Sequence, residues 1–477
     1  MKLYNTLSRS IEDFKPINPP LVGLYACGFT VYDYTHLGHF RKYTMDDILI
    51  RTLKQQGFEV KFVQNITDVG HLASDEDTGE DKLEKGAKKY GQSVWDIAHK
   101  FEDYFFYSMD LMGNLRPSIS CRATEHITEQ LQMVLELEKK GFTYVIAGDG
   151  VYFDTAKLTD YGKLAHLDLT KQKEGARVEK VKGKRNPSDF ALWKFERPGE
   201  NRAMVWSSPW HPRSFPGWHI ECSAMSMKYL GEQFDIHTGG IDHIPVHHTN
   251  EIAQAEATTG KKPFVKYWVH HNFLRVDGEK MSKSLGNFFT IDDIIKRGFE
   301  PPALRLLFLT THYRNQLNFT WNNLAGAQKA WDRLKHEVLR LSQLDYGKND
   351  IDLGRTGEKY WTEFTEAMAN DLDTPQAIAL MWQMLANQNV KEEQQWVLLQ
   401  KFDQYFGLGL AKIDSLKLQT SEDLKIPDQI KEILDQRKQA RVDKDWQRSD
   451  QLRDQLGELG YQVEDQNDGQ QKINIKK

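Results

Sequence analysis

The sequence predicts an α/β protein with a doubly wound parallel sheet, split by an insertion and followed by an α-helical bundle and a small α+β C-terminal unit. Residues 21–27 and 59–67 have the apolar composition of buried strands, and a segment with helical spacing separates them. A strand, a helix and a second strand form a βαβ unit, which implies a parallel sheet of the Rossmann-like type. After about residue 310 the apolar residues follow helical spacing instead.

The first half of the sheet domain is predicted over residues 1–115. Between the two strands, helical spacing places five side chains on one face: Met45, Ile48, Leu49, Thr52 and Leu53. Gly57 then fits the end of this helix. Because ligands of such sheets bind at the carboxyl ends of the strands, we expect the loop after residue 27 to lie at a binding site.

An insertion is predicted over residues 116–210 and the second half of the sheet domain over residues 211–310. The insertion begins with a helix that carries Ile127, Leu131, Val134 and Leu135 and ends near Gly141. A hairpin follows, with its turn at Gly148-Asp149-Gly150. In the second half, the segments FDIHTGG and YWVHHNFLRV have strand composition.

A helical bundle is predicted over residues 311–420 and a small unit over residues 425–477. Linkers are expected near residues 345–356 and 411–426. The small unit has a charged helix to Leu459, a stop at Gly460 and a hairpin around an Asn-Asp-Gly turn. The helical spacing that predicts the bundle is carried by Leu324, Trp331, Leu334, Val338 and Leu341.

Composition indicates a globular protein of the cytoplasm. The chain has 477 residues, a net charge of −5 and only three cysteines, so thiols are expected rather than disulfides. It lacks both an apolar run of membrane-spanning length and the apolar core of a signal peptide. Residues 171–185 contain seven Lys or Arg, which fits an RNA-binding patch, although a solvated loop is the favoured interpretation.

Two motifs predict chemistry on ATP. His36-Leu37-Gly38-His39 and Lys280-Met281-Ser282-Lys283-Ser284 resemble, in this order, the ATP-activating motifs of class I aminoacyl-tRNA synthetases. The imidazoles suit charge that develops on phosphates, and Gly38 lets a flat base approach the backbone. Lys280 and Lys283 suit the neutralisation of pyrophosphate. Taken alone, each motif also fits a plainer structure, namely a helix start with exposed histidines or a solvated basic loop.

A metal site is a second hypothesis. Cys27, Cys222, His247 and Glu251 offer a thiolate pair, an imidazole and a carboxylate, which are natural zinc ligands. His247 and Glu251 are four residues apart and would share one helical face. No C-x-x-C pair supports the site, so two buried cysteines and a surface His–Glu pair remain an alternative.

Nearly end to end, the chain resembles cysteinyl-tRNA synthetases. The similarity is carried by LYACG, THLGH, KFVQNITDV, DFALWK, PGWHIECSAM, HHTNE, VDGEKMSKSLGNFFT and the C-terminal KDW and GYQVED segments. It implies that one zinc ion binds the thiolate of L-cysteine and is itself held by Cys27, Cys222, His247 and Glu251. It also implies that the catalytic residues are His36, His39, Lys280 and Lys283. Zinc favours a thiolate over a hydroxyl, whereas an apolar pocket separates such near-isosteres only about a hundredfold.

The resemblance also implies a set of binding residues and partners. ATP, with Mg²⁺, would bind near Thr30, His36, Gly38, His39, Asp242 and Lys283. Cysteine would bind near Cys27, Thr30, Trp218 and His237. Residues from about 310 onward would bind tRNA. The protein itself is expected to be a monomer.

Alternatives and departures from the family pattern remain. One alternative is a ligase that transfers cysteine to a small amine, and another is a non-catalytic tRNA- or zinc-binding paralogue. Phe29, Thr238, His243 and Thr249 replace the residues common in the family, and the chain lacks its frequent terminal tryptophan. Cys121 is interpreted as structural.

Overall fold

The computed structural model describes residues 1–69, 81–166, 182–282, 285–344, 351–413, 428–443, 445–459, 461–465 and 471–475. Several sequence predictions fall outside these residues. They concern Lys283, most of the basic segment 171–185, parts of both linkers, the helix stop at Gly460 and the Asn-Asp-Gly turn.

The strands of the described residues are numbered in chain order. They are β1 (Lys2–Asn5), β2 (Ser10–Asp13), β3 (Leu21–Thr30), β4 (Glu59–Thr67), β5 (Ile119–Arg122), β6 (Thr143–Ile146), β7 (Gly150–Phe153), β8 (Phe190–Phe195), β9 (Ser214–Pro216), β10 (Phe234–Gly240), β11 (Val265–His271), β12 (Leu274–Val276), β13 (Glu279–Lys280), β14 (Leu317–Phe319), β15 (Tyr461–Asp465) and β16 (Gln471–Ile475).

The α-helices are numbered in the same way. They are α1 (Leu37–Gln55), α2 (Lys82–Tyr90), α3 (Val94–Leu111), α4 (Ile127–Lys139), α5 (Trp218–Leu230), α6 (His247–Thr259), α7 (Ile291–Lys296), α8 (Pro301–Leu309), α9 (Trp321–Ser342), α10 (Gly354–Ala369), α11 (Thr374–Ala386), α12 (Glu392–Phe406), α13 (Asp428–Val442) and α14 (Trp446–Glu458). Within the described ranges, no helix is both long enough and apolar enough to cross a membrane.

The central sheet has the order β11-β10-β3-β4-β5, and every neighbouring pair is parallel. Within this sheet, the first strand along the chain is β3, which lies at the centre. The chain continues outward through β4 to β5 and then returns to add β10 and β11 on the other side of β3. This is a doubly wound sheet, as the sequence predicted. Its strand order reverses between β3 and β10, and ligands of such sheets bind at the carboxyl ends of the strands there.

Helix α1 connects β3 to β4 and covers the sheet with the face that its spacing predicted. All five residues of that face are buried, including Met45, Ile48 and Leu53. Other residues of α1 are buried as well, including Arg41 and Asp46, because neighbouring elements pack against several sides of the helix. The N-terminal end of α1 lies at the carboxyl end of β3, beside the reversal point.

An antiparallel sheet of order β6-β7-β8-β9 follows β5, and its last strand, β9, lies beyond residue 210, the predicted end of the insertion. The predicted hairpin pairs β6 with β7, with Ile146 opposite Gly150. However, β5 lies within residues 116–210 and pairs with β4 in the central sheet, so the insertion follows β5 rather than starting at residue 116. A strand of four residues is too short to show a periodic pattern, which is why the sequence did not separate it from the insertion.

The C-terminal part is helical, as predicted, and ends in a small α+β unit. All residues that carried the helical spacing of α9 are buried, including Trp331 and Val338. Helices α13 and α14 and the antiparallel pair β15–β16 form the small unit. Its own apolar cluster consists of Ile430, Ile433, Leu452, Leu456 and Val463.

Candidate active site

A pocket of about 590 Å³ lies at the reversal point of the sheet. Most of the residues that the sequence predicted for the site line it: Cys27, Thr30, His36, Gly38, His39, Trp218, Cys222, Asp242, His247 and Lys280. Two predicted residues, His237 and Glu251, are fully buried behind this lining. A third, Lys283, lies outside the described residues.

A bulge in β3 presents Cys27 to the pocket. The register between β3 and β4 shifts between Ala26 and Phe29, so the backbone of Cys27 and Gly28 leaves the regular ladder. The Gly28 N–H instead donates to the Asn65 side-chain oxygen over 2.8 Å. A Cβ atom at Gly28 would lie 1.5 Å from the carbonyl oxygen of Asn65, so only glycine fits this approach.

The four proposed metal ligands converge in the structure. One donor atom from each of Cys27, Cys222, His247 and Glu251 lies within 4.8 Å of the others, and all four residues are buried. The Glu251 Oε1 atom is 3.0 Å from His247 Nε2 and 4.0 Å from Cys27 Sγ. Since His247 and Glu251 lie one turn apart at the start of α6, helical geometry alone brings their donors together.

A second set of four donors overlaps the first. It consists of Cys27, His237, His248 and Glu251. His237 Nε2 lies 2.9 Å from Glu251 Oε2, and His248 Nε2 lies 3.2 Å from Cys27 Sγ. Neither His237 nor His248 is among the described residues that line the pocket. If a metal binds the first set, these two imidazoles are hydrogen-bonded to two of its ligands, as residues around metal sites commonly are.

The imidazole of His248 is itself oriented by further hydrogen bonds. Its Nδ1 atom lies 2.8 Å from His270 Nε2, and His270 Nδ1 lies 2.8 Å from the Thr6 hydroxyl. Burial lowers the pKa of His248 and of His270 well below the ordinary value. Both rings are therefore neutral, and a neutral N–H can support a thiolate at Cys27 without adding a charge.

The charges of the cluster fit a bound cation. Burial opposes ionisation of Glu251, but His237 and His247 outweigh it and lower the pKa of the carboxyl to about 2. Burial likewise opposes protonation of His247, but the charge of Glu251 and the hydrogen bond with Cys222 raise its pKa to about 10. The hydrogen bond with Cys27, together with burial, raises the pKa of the Cys222 thiol. A dication would replace these shared protons, and two sulfurs, one nitrogen and one oxygen suit zinc.

At the other end of the pocket, His36 and His39 form the cap of α1. The Gly38 N–H donates to His36 Nδ1 over 3.1 Å, and the His36 N–H donates to His39 Nδ1 over 3.3 Å. The two rings stack with centroids 3.7 Å apart. Because both Nδ1 atoms accept, each neutral ring carries its proton on Nε2, which is then able to donate to a phosphate. Burial lowers the pKa of His39 well below its ordinary value, so that ring is neutral.

The segment that follows the lysine motif contacts the first turn of α1, although the two are distant in sequence. The Leu37 N–H donates to the carbonyl of Phe289 over 3.1 Å, and the His36 ring lies edge-on to Phe288. A Cβ at Gly38 would meet the His36 ring at 3.1 Å and the Met281 methyl at 3.9 Å. The segment around Met281 therefore lies over the first turn of α1.

Lys280 lines the pocket but is exposed. The side chain of Asn287 holds the lysine segment: its amide donates to the Lys280 carbonyl over 3.2 Å, and its oxygen accepts from the Ser282 N–H over 2.7 Å. Both contacts are to backbone, so they fix the course of the segment and leave the Lys280 ammonium to interact with a ligand.

Trp218 and the residues that depart from the family pattern surround both ends of the pocket. The ring centroids of Trp218 and His247 are 4.4 Å apart, and those of His243 and His247 are 5.1 Å apart. Phe29 packs edge-on against His39, with centroids 5.0 Å apart. Thr249 donates to the carbonyl of Ile244 over 2.7 Å. Thr238 is fully buried in β10. Cys121 is buried in β5 and is not a member of the cluster; its Sγ lies near the Gln64 carbonyl.

Sequence reasoning missed three cations of this pocket. Lys42, Lys82 and Arg275 join Lys280 in its lining, whereas Asp242 is the one carboxylate among the described lining residues. The pocket is thus suited to an anionic ligand. Lys42 lies three residues after His39 on α1, so the helical period could have identified it. Arg275 and Lys82 reach the pocket through tertiary folding, which no local pattern indicates.

Comparisons with known proteins identify the family of the chain. Residues 13–329 match the family model for the catalytic domain of class I (C) tRNA synthetases, and residues 423–471 match the anticodon-binding domain of cysteinyl-tRNA ligases. The chain is 42% identical to a cysteine–tRNA ligase of Treponema denticola, over 98% of each protein. It is 44% identical to cysteine–tRNA ligase 1 of Burkholderia lata, over 98% of this chain and 96% of that protein.

Solved structures with a similar fold come from more distant synthetases. The methionyl-tRNA synthetase of Mycobacterium tuberculosis, in complex with methionyl-adenylate, superimposes with a TM-score of 0.57 at 14% identity. That match covers 84% of this chain and 91% of the other. The LeuRS of Agrobacterium radiobacter K84 gives a TM-score of 0.58 at 12% identity, over 85% and 86% of the two chains. At these identities the similarity concerns the fold alone.

Proposed function

Because the chain belongs to the cysteine–tRNA ligase family of class I synthetases, we propose that the two ends of its pocket divide the reaction between them. The chain is an aminoacyl-tRNA synthetase, a ligase whose substrates are L-cysteine, ATP and tRNA. In our proposal the cluster of Cys27, Cys222, His247 and Glu251 selects the side chain of the amino acid. The His36–His39 pair and the lysine segment act on the phosphates.

The side-chain end would hold a zinc ion on its four donors. When bound there, zinc supplies a soft Lewis acid that prefers a thiolate to the hydroxyl of serine. His237 and His248 would fix the orientation of Glu251 and Cys27, respectively, through the hydrogen bonds described above. Trp218 would close this end of the pocket and exclude water from the amino acid.

At the phosphate end, the amino acid carboxylate attacks the α-phosphorus of ATP. A bond from a carboxylate oxygen to phosphorus forms, the bond from phosphorus to the bridging oxygen breaks, and pyrophosphate leaves. The Nε2–H groups of His36 and His39 would donate to phosphate oxygens as charge builds, aided by the N-terminal dipole of α1. Gly38, Thr30 and Asp242 would contact the nucleotide. Lys280 and Lys283 would neutralise the pyrophosphate, which Mg²⁺ accompanies.

Transfer to tRNA completes the reaction. A hydroxyl of the terminal ribose attacks the carbonyl carbon of the adenylate, and AMP leaves with its electron pair. We propose that residues 311–420 contact the stem above the anticodon and residues 425–477 the anticodon itself. The match of residues 423–471 to an anticodon-binding domain supports this and disfavours transfer to a small amine. We further propose that the protein acts as a monomer in the cytoplasm.

One observation carries the proposal: three of the four buried donors suited to zinc line the same pocket as His36, His39 and Lys280, and the fourth, Glu251, lies within 4.8 Å of them. The test is exchange of labelled pyrophosphate into ATP, measured with L-cysteine, with L-serine and after treatment with a zinc chelator. We expect exchange that depends on cysteine, is negligible with serine and returns when zinc is restored. Exchange that serine supports equally, or that survives complete metal removal, would contradict the zinc-based selection of cysteine.

A further inference from the structure

Lys42 is a cation of the pocket that the proposed mechanism does not use. It lies on α1 three residues after His39 and therefore on the same helical face, one turn deeper in the pocket. Its side chain is 13% exposed, and it lines the pocket together with Cys27 and His39. An ammonium group is costly to withdraw from water unless it has partners, so its position calls for an explanation.

The ammonium of Lys42 is held in place by contacts within the protein. It donates to the carbonyl oxygen of Cys27 over 2.8 Å and pairs with Asp46 Oδ2 over 2.8 Å. The other oxygen of Asp46 lies 2.8 Å from His271 Nε2, at the end of β11. Asp46 and His271 are both nearly inaccessible to solvent. This network fixes the position of the Lys42 ammonium at the pocket, which Cys27 and His271 also line.

These contacts leave Lys42 able to bind a ligand. An ammonium has three N–H donors; the Cys27 carbonyl accepts from one, and Asp46 contributes an ion pair, so donors remain for a ligand. The carbonyl of Cys27 belongs to the β-bulge, so Lys42 is joined to the backbone of the residue whose thiol enters the cluster. The cation is therefore held directly beside the place where the side chain of the amino acid would bind.

The order of groups along the pocket matches the order of groups in the reaction. Cys27 belongs to the sulfur-binding cluster, Lys42 contacts Cys27, and His39 lies one turn further towards the phosphates. In cysteine the thiol is a few bonds from the carboxylate, and in the reaction the carboxylate faces the α-phosphate. We propose that Lys42 is a positioning residue that binds the α-carboxylate of cysteine and holds it for attack on ATP.

This assignment rests on the proposed function and adds a requirement to it. In this role Lys42 supplies hydrogen bonding and charge and takes no part in bond formation or cleavage. Once a carboxylate oxygen has formed its bond to phosphorus, the amino acid carboxyl no longer carries its negative charge. The contact with Lys42 is then weaker, which eases the movement of the acyl group to tRNA. The pocket should thus require a free carboxylate in its ligands.

The test compares L-cysteine with cysteamine, which has the thiol and the amine but no carboxylate. Affinity of the full-length, zinc-loaded protein for each compound is measured by calorimetry. In Lys42→Met we expect the affinity for L-cysteine to fall about 10- to 100-fold, as for loss of a charged hydrogen bond, while that for cysteamine stays the same. Lys42→Arg should recover part of the difference between the two compounds.

A matched control is Lys61→Met. The Lys61 ammonium donates to the carbonyl of Tyr229 and is not among the described lining residues. This variant should bind both compounds as the wild type does. If Lys42→Met proves unfolded by circular dichroism, Lys42→Gln keeps a donor for the Cys27 carbonyl without the charge and takes its place in the comparison.

Each outcome decides the question. A selective loss of L-cysteine binding supports the proposal. An equal loss for both compounds would assign Lys42 a structural role, and unchanged binding of both would remove it from the site; either result overturns the proposal. Wild-type protein that neither binds L-cysteine nor shows cysteine-dependent exchange would instead contradict the proposed function.

Discussion

The two ends of the pocket are built in opposite ways. The proposed metal ligands are almost fully buried, with exposures of 4% or less, and the imidazoles of His248 and His237 are hydrogen-bonded to two of them. Lys280, at the phosphate end, is exposed and belongs to a segment that the side chain of Asn287 holds through two hydrogen bonds. The donors of one end lie in the interior of the protein, whereas the Lys280 side chain of the other end is exposed to solvent.

The difference follows from what each end has to do. Selection of sulfur over oxygen needs donors at fixed positions, because a ligand sphere that adapts would accept both atoms. Pyrophosphate, in contrast, must enter as part of ATP and then leave, which favours a segment that closes on the nucleotide and reopens. The comparison predicts that substitutions at the two ends will affect different measurements.

The largest effect is expected from Cys222→Ser. Loss of a direct ligand should lower zinc affinity at least about 100-fold, because even residues behind the ligands commonly contribute 10- to 100-fold. Bound metal, measured by mass spectrometry, and cysteine affinity should fall together. Cys121→Ser is the matched control, since Cys121 is buried in β5 outside the cluster. Full metal content in Cys222→Ser would show that the buried end does not depend on its ligand set.

Lys280→Ala should separate the two ends. Removal of one group that stabilises charge in the transition state costs about 100-fold in rate. We expect pyrophosphate exchange to slow by about this factor, with zinc content and cysteine affinity unchanged. Lys296→Ala, in the exposed last turn of α7, serves as a control and should exchange normally. A Lys280→Ala protein that lost zinc instead would contradict the proposed separation.

His237→Gln tests the support behind the metal ligands. His237 is hydrogen-bonded to Glu251 Oε2, so its loss should lower zinc affinity about 10- to 100-fold without removing a ligand. Zinc affinity is measured by competition with a chelator of known strength. His126→Gln changes another buried histidine, one that contacts Arg122 and Tyr229, and it controls for general damage to the fold. Equal zinc loss in both variants would count against a specific role for His237.

The smallest effect concerns pH. Burial lowers the pKa of His39 well below 6.5, so its ring should remain neutral between pH 8 and pH 6, as followed by NMR of labelled histidine. The unfolded chain takes up this proton near pH 6.5. Because His39 is buried as a neutral ring, it contributes fully to the free energy of unfolding above that pH. As the pH falls below it, this contribution declines by at most about 1.4 kcal/mol per pH unit. Titration of His39 near pH 6.5 in the folded protein would contradict this prediction.

Much of the fold and of the candidate site could be predicted because local spacing carries the information. The apolar face of α1 follows the helical period, and every residue assigned to it is buried. His247 and Glu251 were expected on one face from their separation, and the structure brings their donors to 3.0 Å. Periodicity works here since burial acts on whole faces of helices and strands.

Other features depend on segments that are distant in sequence. β5 was assigned to the insertion because four residues carry no pattern, and only its pairing with β4 reveals its place. His237 was expected in the pocket lining, but it lies behind Glu251. The bulge that turns Cys27 towards the pocket depends on Asn65, in the neighbouring strand.

The sequence by itself determined the kinds of chemical groups and the local elements that carry them: two ATP motifs, four zinc-type donors, a βαβ start and a helical C-terminal part. Only the tertiary structure decided how these groups are arranged, including which imidazoles lie behind the ligands and that Lys42 joins Cys27 to Asp46. The physical reason is the distance along the chain over which each kind of information acts. Helical and strand periods act over a few residues, whereas a pocket at a sheet reversal is formed by strands and helices whose relative positions depend on the packing of the whole domain.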